Sequence, residues 1–237
     1  MRAIDGSMTG ASTQLTLPFP LNERCVFANF VIGPNAELMD RLQRIASVGQ
    51  FSSTWLWGGV GKSHLLQGTC QNHAEHGGAV AYLPLADTDG HIESLRGFGR
   101  YSLVAVDDLD VWLGDERLES ELLTLYQDLY ASGGNLLLAS TRAPQETTFV
   151  LPDLASRFRS ANCHCIQALA DDDKAEVLRL HAAARGLLLA EPVLNFWLNR
   201  SARSLKELLA QLDRVDGAAM VSQRRVTVPL LKQVLGL

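Results

Sequence analysis

The chain has no uninterrupted apolar stretch near the ~18 residues needed to cross a bilayer, and no apolar leader opens it. A membrane-spanning helix and a secretory route are therefore not expected, and a cytoplasmic location is. Cysteine is scarce: Cys25, Cys70, Cys163 and Cys165 form no even framework of the secreted type. Basic clusters are scarcer still. The net charge is −5, and Arg224-Arg225 is the longest run of Lys and Arg. A surface that grips duplex DNA unaided needs dense cationic charge to displace counterions, so direct DNA binding is not the leading reading.

What the chain has is length and an ordinary apolar content. Its 237 residues, 47% hydrophobic and 20% charged, suffice for one large domain or a core domain with a small lid. Met1–Ser7 ends in Gly-Ser just ahead of a second methionine, Met8, and reads as an expression-vector scar outside the fold. Residues 8–24 are polar, contain proline and lack a helical period, so a flexible, extended tail is expected there.

Helical spacing begins over 35–48, carried by Leu38, Leu42 and Ile45. A short apolar strand around Trp55 then runs into a Gly-rich turn and a helix. Further apolar, β-rich runs occupy 79–85, 101–110, 135–144 and 162–169, and an amphipathic helix over 118–134 ends in two glycines. Strands alternating with helices predict a parallel α/β sheet of five strands, buried on both faces, over 25–169. Residues 170–237 carry helical patterns only. An α/β base followed by a helical lid, in that order, is the layout of an AAA+ P-loop module, and this is the expected fold.

Three strand ends carry candidate chemistry. Gly58-Gly59-Val60-Gly61-Lys62-Ser63 lies between strand and helix, where backbone N–H groups and a helix N-terminus make an anion cradle. Lys62 is placed to reach β/γ-phosphates and the Ser63 hydroxyl to ligate Mg²⁺. The full loop pattern wants glycine where Leu56 stands, so the loop is about two residues short. Either the loop is truly shortened, or residues are absent from it. Asp107 and Asp108 close the 101–110 strand at the edge where open α/β sheets bind ligands. Asp107 would hold Mg²⁺ and Asp108 orient an attacking water, while Asp110 or Asp115 would cap a helix. Thr141, after the next strand, would sense a γ-phosphate or make a local turn into Pro144. Cys163-His164-Cys165 sets both thiols on one face of a strand, where core packing is expected rather than metal.

The blocks QLTLPF (14–19), FANFVIGPNAEL (27–38), WLWGGVGKSHLL (55–66), LPDLASRF (151–158) and the C-terminal 203–235 together resemble the Hda family of DnaA-related AAA+ proteins over nearly the whole chain after Met8. The resemblance implies a regulatory adaptor that binds the DNA polymerase sliding clamp and stimulates hydrolysis of ATP bound to DnaA, restraining initiation of replication. It implies bound ADP, or another nucleoside diphosphate, with Mg²⁺, and contact with DNA only through the clamp. Self-association stays open. In this pattern Gln14, Leu15, Leu17, Pro18 and Phe19 are the clamp-binding motif, with Leu17 and Phe19 entering an apolar cleft; read by itself, the stretch is a hydrophobic tail that packs on its own domain. Gly58, Gly59, Gly61, Lys62, Ser63, His64, Asp107, Thr141 and Lys206 fall to the nucleotide, with Ser63 and Asp107 on the metal. Arg157 matches an arginine finger acting in trans; read by itself, it is a surface partner of Asp153 at i, i+4. Lys206 stands where relatives carry arginine, a point charge in place of a planar fork, with Arg203 as a substitute. Phe27, Asn29 and Phe30 lie near the base or in the core. The chain ends at Leu237, directly after the expected lid, with no room for a DNA-reading helix-turn-helix. The isolated protein is not expected to be an enzyme. Two other classes fit the loop and strand alone: a stand-alone ATPase of the helicase-loader or DnaA type, acting on DNA or a helicase, and a kinase-like enzyme with a small substrate. The tail motif and the Arg157 block favour the adaptor.

Overall fold

The computed structural model describes residues 19–45, 50–88, 95–201, 204–222 and 225–237. Five strands form one parallel sheet in the order β2-β3-β4-β1-β5. They are β1 (Ser52–Gly58), β2 (Val80–Pro84), β3 (Leu103–Asp107), β4 (Asn135–Ala139) and β5 (Asn162–Ile166). Helices α1 (Ala36–Gln43), α2 (Lys62–Glu75), α3 (Glu116–Ser132) and α4 (Pro152–Arg159) cover its faces. The lid is all helical: α5 (Asp171–Ala183), α6 (Glu191–Arg200), α7 (Leu205–Ser222) and α8 (Val228–Leu235). No helix among the described residues is long and apolar enough to cross a membrane.

Strand alternation divides the base into two cores. Trp55, Val104, Val106, Leu136 and Leu138 point to one side, against Leu122, Leu125 and Leu129 of α3 and Leu154 and Phe158 of α4. Leu56, Leu103, Ala105, Leu137 and Ala139 point to the other, against Leu38 and Leu42 of α1 and Leu65, Leu66 and Cys70 of α2. A third core holds the lid together around Leu178, Leu194, Trp197, Leu212 and Leu231. Helix starts follow local chemistry. The Asp115 carboxylate accepts the Arg117 and Leu118 amides at the start of α3, and Gly133 ends that helix at φ +76° with its N–H on Leu129 O.

Three sequence expectations change. The strand β5 is a sheet edge rather than a run buried on both faces: Asn162 and Cys163 are exposed, and only Ile166 is fully buried. Helix α1 stops at Gln43 instead of reaching Val48, and residues 46–49 lie outside the described residues. Residues 19–24, expected within the flexible tail, lie on the base domain. The aromatic ring of Phe19 and the side chain of Leu21 pack half-buried against the α1–α2 core. Asn22 is gripped on both backbone groups: its N–H donates to Gln67 Oε1 at 2.8 Å, and its carbonyl accepts from Gln71 Nε2 at 2.8 Å.

Candidate nucleotide site

Between the end of β1 at Gly58 and the start of α2 at Lys62 the chain closes with Gly59, Val60 and Gly61 alone, so the turn is short in the folded protein. Gly58 and Gly61 have φ of +92° and +112°, in the region that favours glycine. The turn is packed tightly against β5. A Cβ on Gly59 would stand 3.0 Å from Ile166 O, and the Gly59 N–H is already donated to that carbonyl at 3.0 Å. The Lys62 ammonium folds back over the turn, donating to Gly58 O (3.1 Å) and Gly59 O (3.2 Å).

What remains free for an anion is the start of α2. That helix has no side-chain cap, and its first hydrogen bond runs from Leu65 N–H to Gly61 O. The amides of Lys62, Ser63 and His64 are thus the donors that a helix start leaves open. These amides fit a phosphate, while the Lys62 ammonium is engaged by the turn's own carbonyls and would have to release them to join it. The cradle is narrower than a full loop would make it.

Beside the turn, base and lid enclose an apolar cleft of about 270 Å³. Phe30, Val60 and His64 line it from the base, Val177 and His181 from α5, and Leu205 and Leu209 from α7. Its size and apolar walls suit a planar heterocycle. Asn29 and Phe30 both line it, whereas Phe27 packs on Gly68 of α2. His64 donates from Nε2 to Val26 O at 2.8 Å, so it pins the segment before α1 while presenting its ring to the cleft. Burial holds His64 below the usual histidine range, against the opposing pull of that hydrogen bond. His181, with its ring centroid 6.4 Å away, is lowered by burial, then by Arg185 and His64. Lys206 is exposed and is not among the residues lining the cleft; Arg203 lies outside the described residues.

Asp107 and Asp108 differ sharply. Asp107 is 1% exposed, and its carboxylate accepts the Tyr82 hydroxyl at 2.8 Å and the Asp108 N–H at 3.0 Å. Asp108 is exposed and adopts φ +53°, unusual outside glycine though tolerated by aspartate. Its carboxyl is raised by partial burial and by Asp107 and Asp87, with Lys62 opposing. Lys62 is therefore within electrostatic reach of the acidic strand end. A divalent cation, when bound, would neutralise phosphate charge here, with Ser63 and Asp107 the residues to hold it.

Thr141 has a partner that the sequence reading did not assign. The Asp110 carboxylate accepts the Thr141 N–H (2.7 Å), its hydroxyl (2.9 Å) and the Ser140 hydroxyl (2.8 Å). In this arrangement the Thr141 proton is spent on Asp110 and cannot also be donated to a phosphate oxygen. Asp115 caps α3, so the cap left open between the two aspartates falls to it, and Asp110 instead braces this loop.

Arg157 lies on α4, away from this turn. Its guanidinium lies 3.3 Å from Asp153 and 5.2 Å from the centroid of the Tyr126 ring, with a third of the side chain exposed. Gln14, Leu15, Leu17 and Pro18 lie outside the described residues, and Phe19 faces its own domain. Cys163, expected in the core, is exposed, on a strand that is the edge of the sheet among the described residues.

Comparison with known families decides the kinship. Residues 21–165 match the bacterial DnaA ATPase domain. The chain belongs to that family. Residues 171–235 match the lid domain of Hda, so the DnaA-type base carries an Hda-type lid. Among solved structures, domain III of the replication initiation protein DnaA from Thermotoga maritima superimposes with a TM-score of 0.79 at 23% identity, over 92% of this chain and 98% of that one. AMPPCP-bound DnaA from Aquifex aeolicus gives 0.66 at 23% identity, over 81% and 65%. At these identities the structures establish the fold: a DnaA-type AAA+ base and lid.

Proposed function

We propose that the chain is a regulatory DnaA-family adaptor that binds the sliding clamp through Gln14–Phe19 and stimulates hydrolysis of ATP held by DnaA, with Arg157 as the residue acting on that partner. The carrying observation is the pairing of a DnaA-type base with an Hda-type lid along one chain. The geometry supports an activator rather than a self-contained hydrolase. The chain's own phosphate turn is short, its lysine is turned inward and Thr141 is tied to Asp110, whereas Arg157 is accessible on the opposite helix. ADP with Mg²⁺ is the proposed resident ligand, its base in the apolar cleft and its phosphates on the start of α2. The deciding experiment measures hydrolysis of DnaA-bound ATP with and without clamp loaded on DNA. Stimulation that requires both this protein and the clamp supports the reading; DNA-stimulated hydrolysis by the isolated protein would replace it with a stand-alone ATPase.

The short turn makes a quantitative prediction. Each charge-assisted N–H to phosphate bond that the turn cannot supply is worth about 1.5–3 kcal/mol, or roughly one to two decades in affinity. Isothermal calorimetry should therefore give an ADP Kd weaker than about 1 µM, weakened further by Lys62→Ala. A submicromolar Kd would mean that the turn opens to a full cradle.

The tail makes another. Replacing Leu17 and Phe19 together by alanine is expected to abolish retention on immobilised clamp. Because Phe19 packs on its own domain, that variant also loses part of the ~1.5–3 kcal/mol of a buried phenylalanine. Leu17→Ala with Gln14→Ala is the companion that tests the motif without touching this contact. Unchanged retention of both variants would remove the tail assignment.

A further inference from the structure

The buried Asp107 carboxylate is the end of a continuous hydrogen-bonded chain that begins on the N-terminal segment. Tyr82 stands on β2, beside β3, with Pro84 paired to Asp107 and Tyr82 paired to Ala105. Residues two apart on a strand share a face, so the Tyr82 ring reaches along the sheet to the carboxylate. A phenol has one proton, and here it goes to Asp107 Oδ2 at 2.8 Å. The Tyr82 hydroxyl oxygen in turn accepts from Gln67 Nε2 at 3.3 Å. Gln67 Oε1 accepts the Asn22 N–H at 2.8 Å.

Every direction in this chain is forced. The Asn22 amide can only donate, so the Gln67 oxygen must face it, and the Gln67 nitrogen must face Tyr82. Tyr82 is 6% exposed, Gln67 9% and Asp107 1%, so water does not substitute readily for the links among these three, while Asn22 carries the chain out to the surface. Gln67 lies one turn beyond Ser63 on α2, and Gln71, one turn further, takes the Asn22 carbonyl. The helix that offers its first turn to phosphate thus grips the N-terminal segment with its second and third. Burial and the neighbouring Asp107 push the Tyr82 phenol upward, which keeps it protonated as the donor throughout the physiological range.

We propose that Tyr82 and Gln67 are positioning residues that hold Asp107 for the cation of a bound Mg·nucleotide and couple its occupancy to the anchoring of the N-terminal segment at Asn22. The proposal rests on the nucleotide reading above and not on the identity of any partner of the tail. A cation that fixes the Asp107 carboxylate fixes the Tyr82 hydroxyl and, through it, the Gln67 amide. Opening of the Asn22 hydrogen bond becomes rarer, and by reciprocity a held Asn22 favours the cation. Asn22 lies three residues beyond Phe19, the last residue of the Gln14–Phe19 motif.

The test uses the full chain with ADP, in Mg²⁺ and in EDTA, read by calorimetry and by amide hydrogen exchange at Asn22. In the unsubstituted protein, Mg²⁺ is expected to strengthen ADP binding and to slow exchange of the Asn22 amide by about fivefold or more, the lower end of ordinary coupling between sites. Tyr82→Phe, which deletes one oxygen, should cut the Mg²⁺-dependent gain by about tenfold, as loss of a group supporting a metal ligand does, while ADP affinity in EDTA stays unchanged. It should also abolish the Mg²⁺ effect on Asn22. Gln67→Leu should keep more of the Mg²⁺ gain, because Tyr82 still reaches Asp107, yet lose the effect on Asn22 completely. A purely structural role would lower affinity alike with and without Mg²⁺, and that result overturns the proposal. So does an Asn22 exchange rate indifferent to Mg²⁺ in protein that binds Mg·ADP. No ADP binding in any condition overturns the nucleotide reading and this proposal together.

Discussion

Replacing Arg157 with alanine is expected to leave clamp retention and ADP binding intact while stimulation of DnaA-bound ATP hydrolysis falls by ~10³ or more, the usual worth of an arginine finger when chemistry limits the rate. The expectation rests on how lightly the guanidinium is held at home. Its ion pair with Asp153, at 3.3 Å on a solvent-facing helix, contributes at most about 1 kcal/mol. The Tyr126 ring face adds about 0.5–1 kcal/mol. A phosphoryl group in a neighbouring site offers charge-assisted, paired hydrogen bonds that outweigh both. Folding should hardly notice the substitution, since the hydrophobic face of α4 is carried by Leu154, Ala155 and Phe158. Arg157→Lys keeps the charge but loses the planar fork, so most of the stimulation should be lost there as well. The measurement is single-turnover hydrolysis of labelled ATP on DnaA with saturating clamp on DNA. Near-normal stimulation by Arg157→Ala would return the residue to its surface ion pair.

Much of the base was legible because its strands are short apolar runs between clear turn signals, and because the sheet alternates cleanly: Trp55 goes to one core and Leu56 to the other. The lid was legible from its uninterrupted helical patterns, whereas the cap of α3 was open between Asp110 and Asp115 and falls to Asp115. What escaped is the use of polar groups by neighbours distant in sequence. Tyr82 reads as one more buried strand residue, yet a buried phenol needs a partner, and a conspicuous acid lay at the end of another strand. Asp110 reads as a local cap, and it bonds Thr141 across 31 residues. The edge position of β5 could not be read from Asn162–Ile166 itself, since strand order is a property of the whole sheet. Phe19 was left open between a partner's cleft and its own domain for a related reason. An apolar side chain suited to a partner's cleft is equally suited to its own domain, and period and composition do not distinguish the two.

Glu119 carries a large stability effect through hydrogen bonds rather than apolar packing. It sits at the start of α3, fully buried, and its carboxylate takes backbone amides from two loops. Gly114 N–H donates to Oε1 at 2.9 Å, Val150 N–H to both oxygens at 3.0 and 2.9 Å, and Leu151 N–H to Oε2 at 2.7 Å. Leu151 is the residue from which α4 starts, so this one side chain fixes the entry of the helix that bears Arg157. Removing it leaves three backbone donors that the surrounding structure was built to satisfy, each worth about 1–3 kcal/mol when orphaned. Partial access of water to the loop ends recovers some of this, and Glu119→Ala is expected to cost about 3–5 kcal/mol, which lowers Tm by roughly 10 °C or more for a chain of this size. Glu119→Gln keeps one acceptor oxygen but turns an NH₂ toward backbone donors, so about half the loss should remain. Below its melting range the glutamine variant separates anchoring from folding. Clamp retention should be normal, while stimulation of DnaA should fall, because α4 is no longer held at its first residue. Thermal unfolding of Glu119→Ala within about 2 °C of the unsubstituted protein, under 1 kcal/mol, would show that the loop amides find other partners. Stimulation by Glu119→Gln equal to that of the unsubstituted protein would show that α4 keeps its place through Leu154 and Phe158 alone.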